Sequence, residues 1–296
     1  MKAALLPDRG VVKVAGDDAR KFLNGLITSD IGKVTPASAG FAALLPPQGK
    51  IIADFILAEA PAADGGGFFL DCPRALAPAL VQRLNFYKLR AKIVVEDLSE
   101  TLGVLAIWDD ARSTEYGLCA ADPRLPELGV RCMLPPHLAD KAAADLGAEL
   151  VDSSAYEARR IALGIPRGGL DFIYGDAFPH ETDMDQFGGV DFDKGCFVGQ
   201  EVVSRIEHRG TARTRVVPVS FDGFAPEAGT PVSAGEKAVG TLGSSAQGRG
   251  LAMLRLDRAA DALAAGQTLT AGGIEMRLVK PAWAQFAWPG EAKAAQ

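Results

Sequence analysis

Residues 194–201 read Lys-Gly-Cys-Phe-Val-Gly-Gln-Glu and combine residue types that an ordinary core strand or surface loop does not need. Gly195 and Gly199 flank a cysteine and an aromatic residue, and glycine allows backbone conformations and close approaches that a Cβ atom would block. Lys194 stands two residues before Cys196, where a cation favours the thiolate over the thiol. The segment therefore predicts a functional cysteine. The alternative is a buried cysteine that precedes a helix.

Positive charge follows this segment, because Arg205 and Arg209 are four residues apart and a helix would carry both on one face. Such charges are ordinarily solvated, which is the alternative to a binding role. Residues 194–201, continued by Arg205 and by Arg209-Gly210, closely resemble the K-G-C-[FY]-x-G-Q-E…R…G signature of the YgfZ family. Members of that family are folate-binding proteins that support iron–sulfur enzymes.

Other segments agree with this resemblance. Residues 17–31 (DDARKFLNGLITSDI) and 42–57 (AALLPPQGKIIADFIL) resemble N-terminal blocks that the family shares with the T-protein of the glycine cleavage system. Residues 160–166 (RIALGIP) and 179–181 (PHE) resemble the blocks that precede the signature.

The resemblance implies an α+β fold, with two interleaved N-terminal α+β subdomains of glycine-cleavage T-protein type and a C-terminal antiparallel β-barrel. Together with a change of sequence texture after Gly210 and a polar, alanine-rich C-terminus, it predicts a folate-binding module at residues 1–210, the barrel at 211–290 and a tail at 291–296. Residues beyond 210 independently favour a small antiparallel barrel or sandwich, since their short apolar segments are bounded by Gly, Pro or Asp.

The implied cofactor is tetrahydrofolate or a derivative. A pterin needs an aromatic or apolar platform with a few polar groups at its edge, and its glutamate tail needs cations. The platform candidate is Tyr156, with Arg160 as its polar partner, and Arg9 and Lys88 are weaker cationic candidates. The alternatives are a core position for Tyr156 and an acidic neighbour for Arg160. The candidate cofactor-binding residues are Tyr156, Arg160, Asp54, Gly199, Gln200, Glu201 and Arg205.

Two departures from the T-protein bear on the reaction. The aminomethyl transferases carry an Asp-Asp pair where this chain has Ala53-Asp54, and an aspartate where it has Cys196. A folate-dependent accessory protein for iron–sulfur cluster assembly or repair is therefore favoured, with Cys196 as its functional thiol and Lys194 beside it. Its expected partners are folate and iron–sulfur enzymes or cluster-assembly proteins. The alternatives are a folate-dependent one-carbon transferase and a folate sensor, and whether a reaction is catalysed stays open.

Composition and charge limit the remaining possibilities. The 296 residues carry 31 Lys and Arg against 37 Asp and Glu, a formal net charge of −6. No global basic field is available, so we expect no direct nucleic-acid partner. No apolar run approaches the ~18 residues of a membrane span, so we expect no membrane association. The N-terminal apolar run at residues 3–6 is too short for a signal-peptide core, which predicts a cytoplasmic protein.

The cysteines and histidines are scattered, without a CxxC pair. This spacing predicts neither a zinc site nor a disulfide framework. We expect Cys196 to be reachable from solvent and Cys72, Cys119 and Cys132 to be structural.

Local patterns predict the principal elements. Residues 164–192 show little periodicity and many Gly, Pro and Asp residues, which is typical of a functional irregular segment. Period-two and helical spacings predict a hairpin over 42–57 and helices over 74–89, 137–146 and 153–163.

Overall fold

The computed structural model describes residues 1–62, 65–210 and 212–290. The tail predicted at residues 291–296 lies outside the described residues. Within the described ranges, no helix is long and apolar enough to cross a membrane.

The chain divides into two compact units whose segments interleave along the sequence. The first unit comprises Met1–Tyr156 and Phe187–Val202, and the second comprises Glu157–Gln186 and Val203–Gln296. The domain bounds that the family resemblance implies, with a change at residue 210, stay a prediction.

The first unit contains two five-stranded sheets, with strand orders β3-β4-β5-β2-β6 and β10-β1-β7-β9-β8. In the part of the unit that the structure describes, strands β1 to β10 are Lys2–Leu6, Arg9–Ala15, Gly40–Leu44, Ala53–Glu59, Phe68–Pro73, Val94–Asp97, Gly103–Trp108, Leu118–Ala121, Val130–Leu134 and Glu149–Leu150. Its helices are α1 (Ala19–Asn24), α2 (Ala77–Lys88) and α3 (Ala139–Leu146), and α4 (Ser153–Leu163) begins in this unit.

Strands β3 and β4 form the hairpin that the alternating pattern predicts, paired in register from Gly40 opposite Leu57. Almost every residue of β4 is buried, because both faces of the strand are covered. Phe55 and Leu57 join the core beneath the first sheet. Since side chains alternate along a strand, Asp54 lies on the opposite face.

A disulfide joins Cys119 of β8 to Cys132 of β9, so the expectation of no disulfide is wrong for this pair. The two cysteines stand opposite each other in the antiparallel register of the two strands. Their sequence separation of 13 residues carries no local signal. Strand pairing, rather than spacing along the chain, brings the two sulfur atoms together.

The second unit contains a closed antiparallel barrel with strand order β11-β14-β13-β12-β15-β16, and closure leaves no exposed sheet edge. The barrel strands β11 to β16 are Thr214–Phe221, Pro231–Ala234, Lys237–Ala246, Arg249–Arg255, Leu269–Ala271 and Ile274–Leu278. Helix α5 (Gln200–Arg209) precedes the barrel and helix α6 (Leu256–Ala264) lies within its sequence. The core includes Val217, Leu242 and Leu254. The predicted irregular segment contains one short 3-10 turn, Pro179–Thr182.

Candidate functional site

Cys196 is an exposed free thiol at the start of the loop that leads into α5. The next residue, Phe197, is buried, and Val198 packs against the core of the first sheet. The other free cysteine, Cys72, is buried in that core, and burial raises the pKa of its thiol to about 12. The two thiols therefore differ sharply in access to solvent, as the sequence predicts.

Gly199 packs against the tight turn of the β3–β4 hairpin. Its φ of +84° lies in the left-handed region, and a Cβ atom there would come within 2.7 Å of the carbonyl oxygen of Pro46. Gly49, in the same turn, also has a positive φ, and a Cβ on it would meet Val202 at 3.0 Å. Gly195 differs, because its φ is not positive and nothing lies within 4 Å of the place a Cβ would take. Only the second glycine of the signature is therefore required by its backbone.

The ammonium group of Lys194 is directed at backbone carbonyl groups. Its Nζ donates to the carbonyl oxygens of Asn24, Ile27 and Ser29, each at 2.8 Å. It also lies 5.2 Å from the ring centre of Phe197. Burial lowers the pKa of Lys194 to about 8. The signature is thereby joined to residues of the first N-terminal block, a contact that its spacing does not reveal.

Further hydrogen bonds join the residues before the signature to the same block. Thr28 Oγ1 donates to the carbonyl of Gly189 at 2.5 Å, and the amide of Asp191 donates to the carbonyl of Thr28 at 3.0 Å. The Lys33 ammonium bonds the Asp191 carboxylate at 2.5 Å. The other oxygen of that carboxylate accepts from the amides of Asp193 and Lys194. The segment from 189 to 194 is therefore held along most of its length.

The other candidate residues of the signature lie in the first turns of α5. Gln200 opens the helix and is half-buried, while Glu201 is exposed. Arg205 is exposed one turn further along the helix. All three are accessible to a ligand in solution.

A buried ionic cluster joins the two sheets of the first unit. The Asp71 carboxylate on β5 accepts from Arg9 and from Arg131 of β9, in both cases at 2.6 Å. Burial opposes the charge on Asp71, but Arg131 and Arg9 outweigh it and hold the pKa of this carboxyl below its usual value. A second buried carboxylate, Asp122, accepts from two of the three guanidinium nitrogens of Arg124, Nε and Nη2.

Tyr156 belongs to this cluster. Its side chain is 4% exposed, its hydroxyl accepts from Arg131 at 2.9 Å, and its ring packs against Trp108. Tyr156 therefore occupies a core position, which the sequence left as the alternative to a ligand platform. Asp54, 8% exposed, contributes to the field at Arg9. The structure therefore places Tyr156, Asp54 and Arg9 around one ionic cluster.

Arg160 lies in the second unit and is 3% exposed. Its guanidinium donates to Glu157, to Asp171 and to the hydroxyl of Ser244. Asp171 in turn accepts from the amide and hydroxyl of Ser244. Arg160 therefore has the acidic partners that the sequence gave as its alternative, and its donors are already used. Lys88, the weakest cationic candidate, is half-buried on α2.

Several of these residues escape sequence reasoning. Asp71 and Arg131 each interrupt an apolar strand, and a charge inside a buried strand signals an internal partner. The sequence therefore predicts that Asp71 and Arg131 have internal partners, but it does not identify those partners. Among the described residues, no group of three or more His, Cys, Asp and Glu side chains could hold a metal ion.

Comparison with known proteins identifies the family to which the chain belongs. A family model, the CAF17 C-terminal beta-barrel domain, matches residues 213–286. The iron-sulfur cluster assembly factor IBA57, mitochondrial, of Mus musculus is 31% identical over 315 residues, which cover 97% of this chain and 86% of the mouse protein. The chain belongs to the IBA57 family. This refines the sequence-based resemblance, since the relatives support IBA57 and not YgfZ specifically.

Two fungal members of the IBA57 family are similarly related. The homologue from Mycosarcoma maydis is 37% identical over 233 residues, which cover 74% of this chain and 57% of the relative. The Coccidioides immitis homologue is 33% identical over 237 residues, which cover 73% of this chain and 56% of the relative. The chain thus spans little more than half the length of these relatives.

These relatives are named as mitochondrial proteins, so the cytoplasmic location expected from the sequence is wrong. That expectation depended on the composition of the first residues alone, and it does not hold for the family.

The glycine cleavage system aminomethyltransferase T from Bartonella henselae has the same fold as this IBA57-family chain. The match covers 97% of this chain and 87% of that one, with a TM-score of 0.75 and 16% sequence identity. At this identity the likeness shows the fold alone. The predicted fold class, of T-protein type with a C-terminal antiparallel barrel, is confirmed.

Proposed function

We propose that this chain assists the assembly of iron–sulfur clusters by presenting the thiolate of Cys196 to the iron of a cluster, which is its cargo. The observation that carries the proposal is an exposed thiol on a loop that is anchored on one side by Lys194 and on the other by Gly199. Exposure gives the sulfur access to a partner, and anchoring gives it a fixed place. Membership of the IBA57 family supports the reaction class.

A single thiolate does not complete the coordination of a cluster. Clusters of the [2Fe–2S] and [4Fe–4S] types take about four protein ligands. The described residues offer no group of three or more ligating side chains. The remaining ligands would come from a second molecule, and iron–sulfur enzymes or cluster-assembly proteins are the partners we propose. In the exchange, Cys196 loses its proton, a sulfur–iron bond forms, and the thiolate that leaves the iron takes up a proton.

We also propose that the chain binds tetrahydrofolate or a derivative, as the family resemblance implies. Tyr156 and Arg160 do not fit a direct contact with that ligand, because both are buried and their polar groups have partners within the protein. Gln200, Glu201 and Arg205 fit better, since they are accessible on the first turns of α5. No step of the proposed thiolate chemistry passes through the folate.

The one-carbon transferase alternative is opposed by Ala53 and Cys196, which stand where the transferases carry carboxylates. Loss of a positioned acid–base group typically costs about 10²-fold or more in rate. We expect no aminomethyl transfer from a lipoyl carrier to tetrahydrofolate, and Ala53→Asp alone should not create it. Robust transfer by the wild-type chain would favour the transferase.

Replacement of Cys196 by serine tests the thiolate. In cells that depend on this protein, Cys196→Ser should accumulate as folded protein yet fail to restore the activity of iron–sulfur enzymes. The matched control is Ser204→Ala, which removes a hydroxyl from α5 in the same part of the chain. Full restoration by Cys196→Ser would reduce the cysteine to a packing role.

Equilibrium titration of the purified chain with tetrahydrofolate tests the cofactor separately. We expect binding well below the millimolar range, weakened by Arg205→Ala and unchanged by Cys196→Ala. Absence of sub-millimolar binding would remove folate from the proposal and leave the thiolate untouched.

A further inference from the structure

We infer that Lys194 is a positioning residue, whose ammonium fastens the Cys196 loop to the chain that follows α1, and that it does not activate the thiol directly. The inference deepens the proposed function and rests on it only for the importance of Cys196. The contacts that support it lie within the first unit.

The ammonium group uses all of its donors on the protein backbone. A lysine ammonium has three N–H donors and no acceptor. Three carbonyl oxygens, those of Asn24, Ile27 and Ser29, each lie 2.8 Å from Nζ. No donor is left over for a thiolate on Cys196. The close spacing of Lys194 and Cys196 suggests that the ammonium activates the thiol, but the ammonium binds backbone carbonyl groups instead.

The Asn24 carbonyl is available because a helix ends there, and those of Ile27 and Ser29 belong to the chain that follows. Asn24 is the last residue of α1, and the last carbonyls of a helix have no partner within it. The partial negative charge at a helix C-terminus favours a cation, and a lysine side chain can satisfy the free carbonyls. The Asn24 side chain also accepts from the amide of Ile31 at 3.2 Å, which helps to fold the following chain towards Lys194.

The two ends of the loop are fixed to different blocks. Lys194 fixes the first end to the chain after α1, and Gly199 fixes the second by close packing against Pro46 in the β3–β4 turn. Only four residues separate these anchors, and one of them, Phe197, is buried. The position of the Cys196 sulfur is therefore set from both sides.

Neighbouring charged groups do not substitute for the hydrogen bonds of the Lys194 ammonium. Asp30 and Asp191 act on the Lys194 ammonium only through their fields. The Asp191 carboxylate is already held by Lys33. Removal of the Lys194 ammonium would leave three carbonyl groups without their donor. The loop would then be held at that end only by the hydrogen bonds of Gly189 and Asp191 to Thr28 and by the Lys33–Asp191 pair.

The test uses the purified full chain and four variants. Lys194→Met removes the charge at nearly constant volume, Lys194→Arg keeps the charge but changes its geometry, and Lys194→Ala leaves room for added n-propylammonium. Lys21→Met removes an exposed lysine of α1 and serves as the matched control. Hydrogen exchange is measured over residues 24–34 and 189–199, and the thiol pKa of Cys196 is obtained from the pH profile of its alkylation by iodoacetamide.

We expect amide exchange in both segments to become about ten-fold faster or more in Lys194→Met and Lys194→Arg, as follows from losing hydrogen bonds to a charged group. Propylammonium should restore protection to Lys194→Ala, and n-propanol should not. The thiol pKa should stay within about 0.3 of the wild-type value, whereas direct activation by a neighbouring cation would give a rise of about one unit or more. Lys21→Met should behave as wild type.

A rise of that size in the thiol pKa of Lys194→Met, with unchanged exchange, would overturn the inference and make Lys194 an activating cation. Failure of propylammonium to restore protection would also count against it. These measurements do not involve iron–sulfur enzymes. If Cys196→Ser restores those enzymes in cells, the proposed function fails, but the positioning role of Lys194 is unaffected. The two failures can therefore be told apart.

Discussion

Replacement of Gly199 by alanine should loosen the first unit, whereas the same change at Gly195 should not. At Gly199 the φ of +84° disfavours any residue with a Cβ, at a cost of about 1–3 kcal/mol. The new Cβ would also come within 2.7 Å of the Pro46 carbonyl oxygen, a backbone atom that cannot simply rotate away. The resulting shift adds about 1–3 kcal/mol. Alanine also restricts the unfolded chain, which returns about 0.4–1 kcal/mol.

The net expectation is a loss of about 1–6 kcal/mol in the free energy of unfolding of the first unit for Gly199→Ala. Gly195→Ala has open space and an ordinary φ, so its effect should lie within about 1 kcal/mol of zero. The pair forms a matched comparison because both glycines belong to the same loop and each variant adds one methyl group.

The assay uses Cys72 as a reporter of the first unit. Cys72 is buried in the core of that unit, and Cys119 and Cys132 are joined in a disulfide. In a Cys196→Ser background, labelling of Cys72 under increasing urea therefore reports opening of the first unit alone, which matters because a chain of two units need not unfold in a single step. Equal urea midpoints for the two glycine variants would refute the assignment of Gly199 as a backbone-determined position.

The remaining predictions concern the ionic cluster and the thiols. Asp71→Asn should lower the free energy of unfolding of the first unit by about 3–5 kcal/mol, since the buried Arg131 and the partly buried Arg9 lose their carboxylate. Glu100→Gln, at an exposed pair, should change it by less than about 1 kcal/mol. Both changes are measured by the urea dependence of Cys72 labelling. The folded-state pKa of Asp71 lies below its ordinary value. Its contribution to stability is therefore fully present above about pH 4 and should be lost as the pH falls through the lowered pKa. Urea midpoints from tryptophan fluorescence, which needs no thiolate, will follow this loss between pH 7 and pH 3 in wild type and in Asp71→Asn. Iodoacetamide should alkylate Cys196 before Cys72 under native conditions, as peptide mass spectrometry will show, because Cys72 is buried and its pKa is about 12.

Each of these predictions has a result that contradicts it. Equal losses for Asp71→Asn and Glu100→Gln would mean that the buried cluster contributes no more than an exposed pair. An acid-induced fall in midpoint that persists in Asp71→Asn would assign that fall to other carboxyls. Labelling of Cys72 ahead of Cys196 would show that the core opens faster than the loop thiol reacts.

Local pattern predicted the elements whose formation depends on neighbours in sequence. The β3–β4 hairpin, helix α4 and most barrel strands carry their own alternation, spacing or turn residues. Lys2–Leu6 carries no alternation of its own, and β1 is a strand through its pairing with β7 and β10. Helix α6 was missed because it follows β14 without a turn signal between them.

The site divides in the same way. The signature itself is contiguous, so its cysteine and its two glycines could be singled out from the sequence. The partners of Lys194 are backbone carbonyls, which every residue possesses and no residue type announces. Asp71 and Arg131 are 60 residues apart, so each looks only like an isolated charge within an apolar strand. The closure of the disulfide likewise depends on the register of β8 and β9.

The interleaving of the two units fixes the order in which this protein can be completed during synthesis. Lys194 and its acceptor carbonyl at Asn24 are 170 residues apart, and Thr28 and Gly189 are 161 apart. Ribosomes add about 5–20 residues per second, so the N-terminal block waits roughly ten seconds or more for its partner segment. Throughout that interval the carbonyls after α1 lack the ammonium group that binds them in the folded protein. A nascent chain that is released before residue 194 emerges has both anchoring surfaces and no thiol to position.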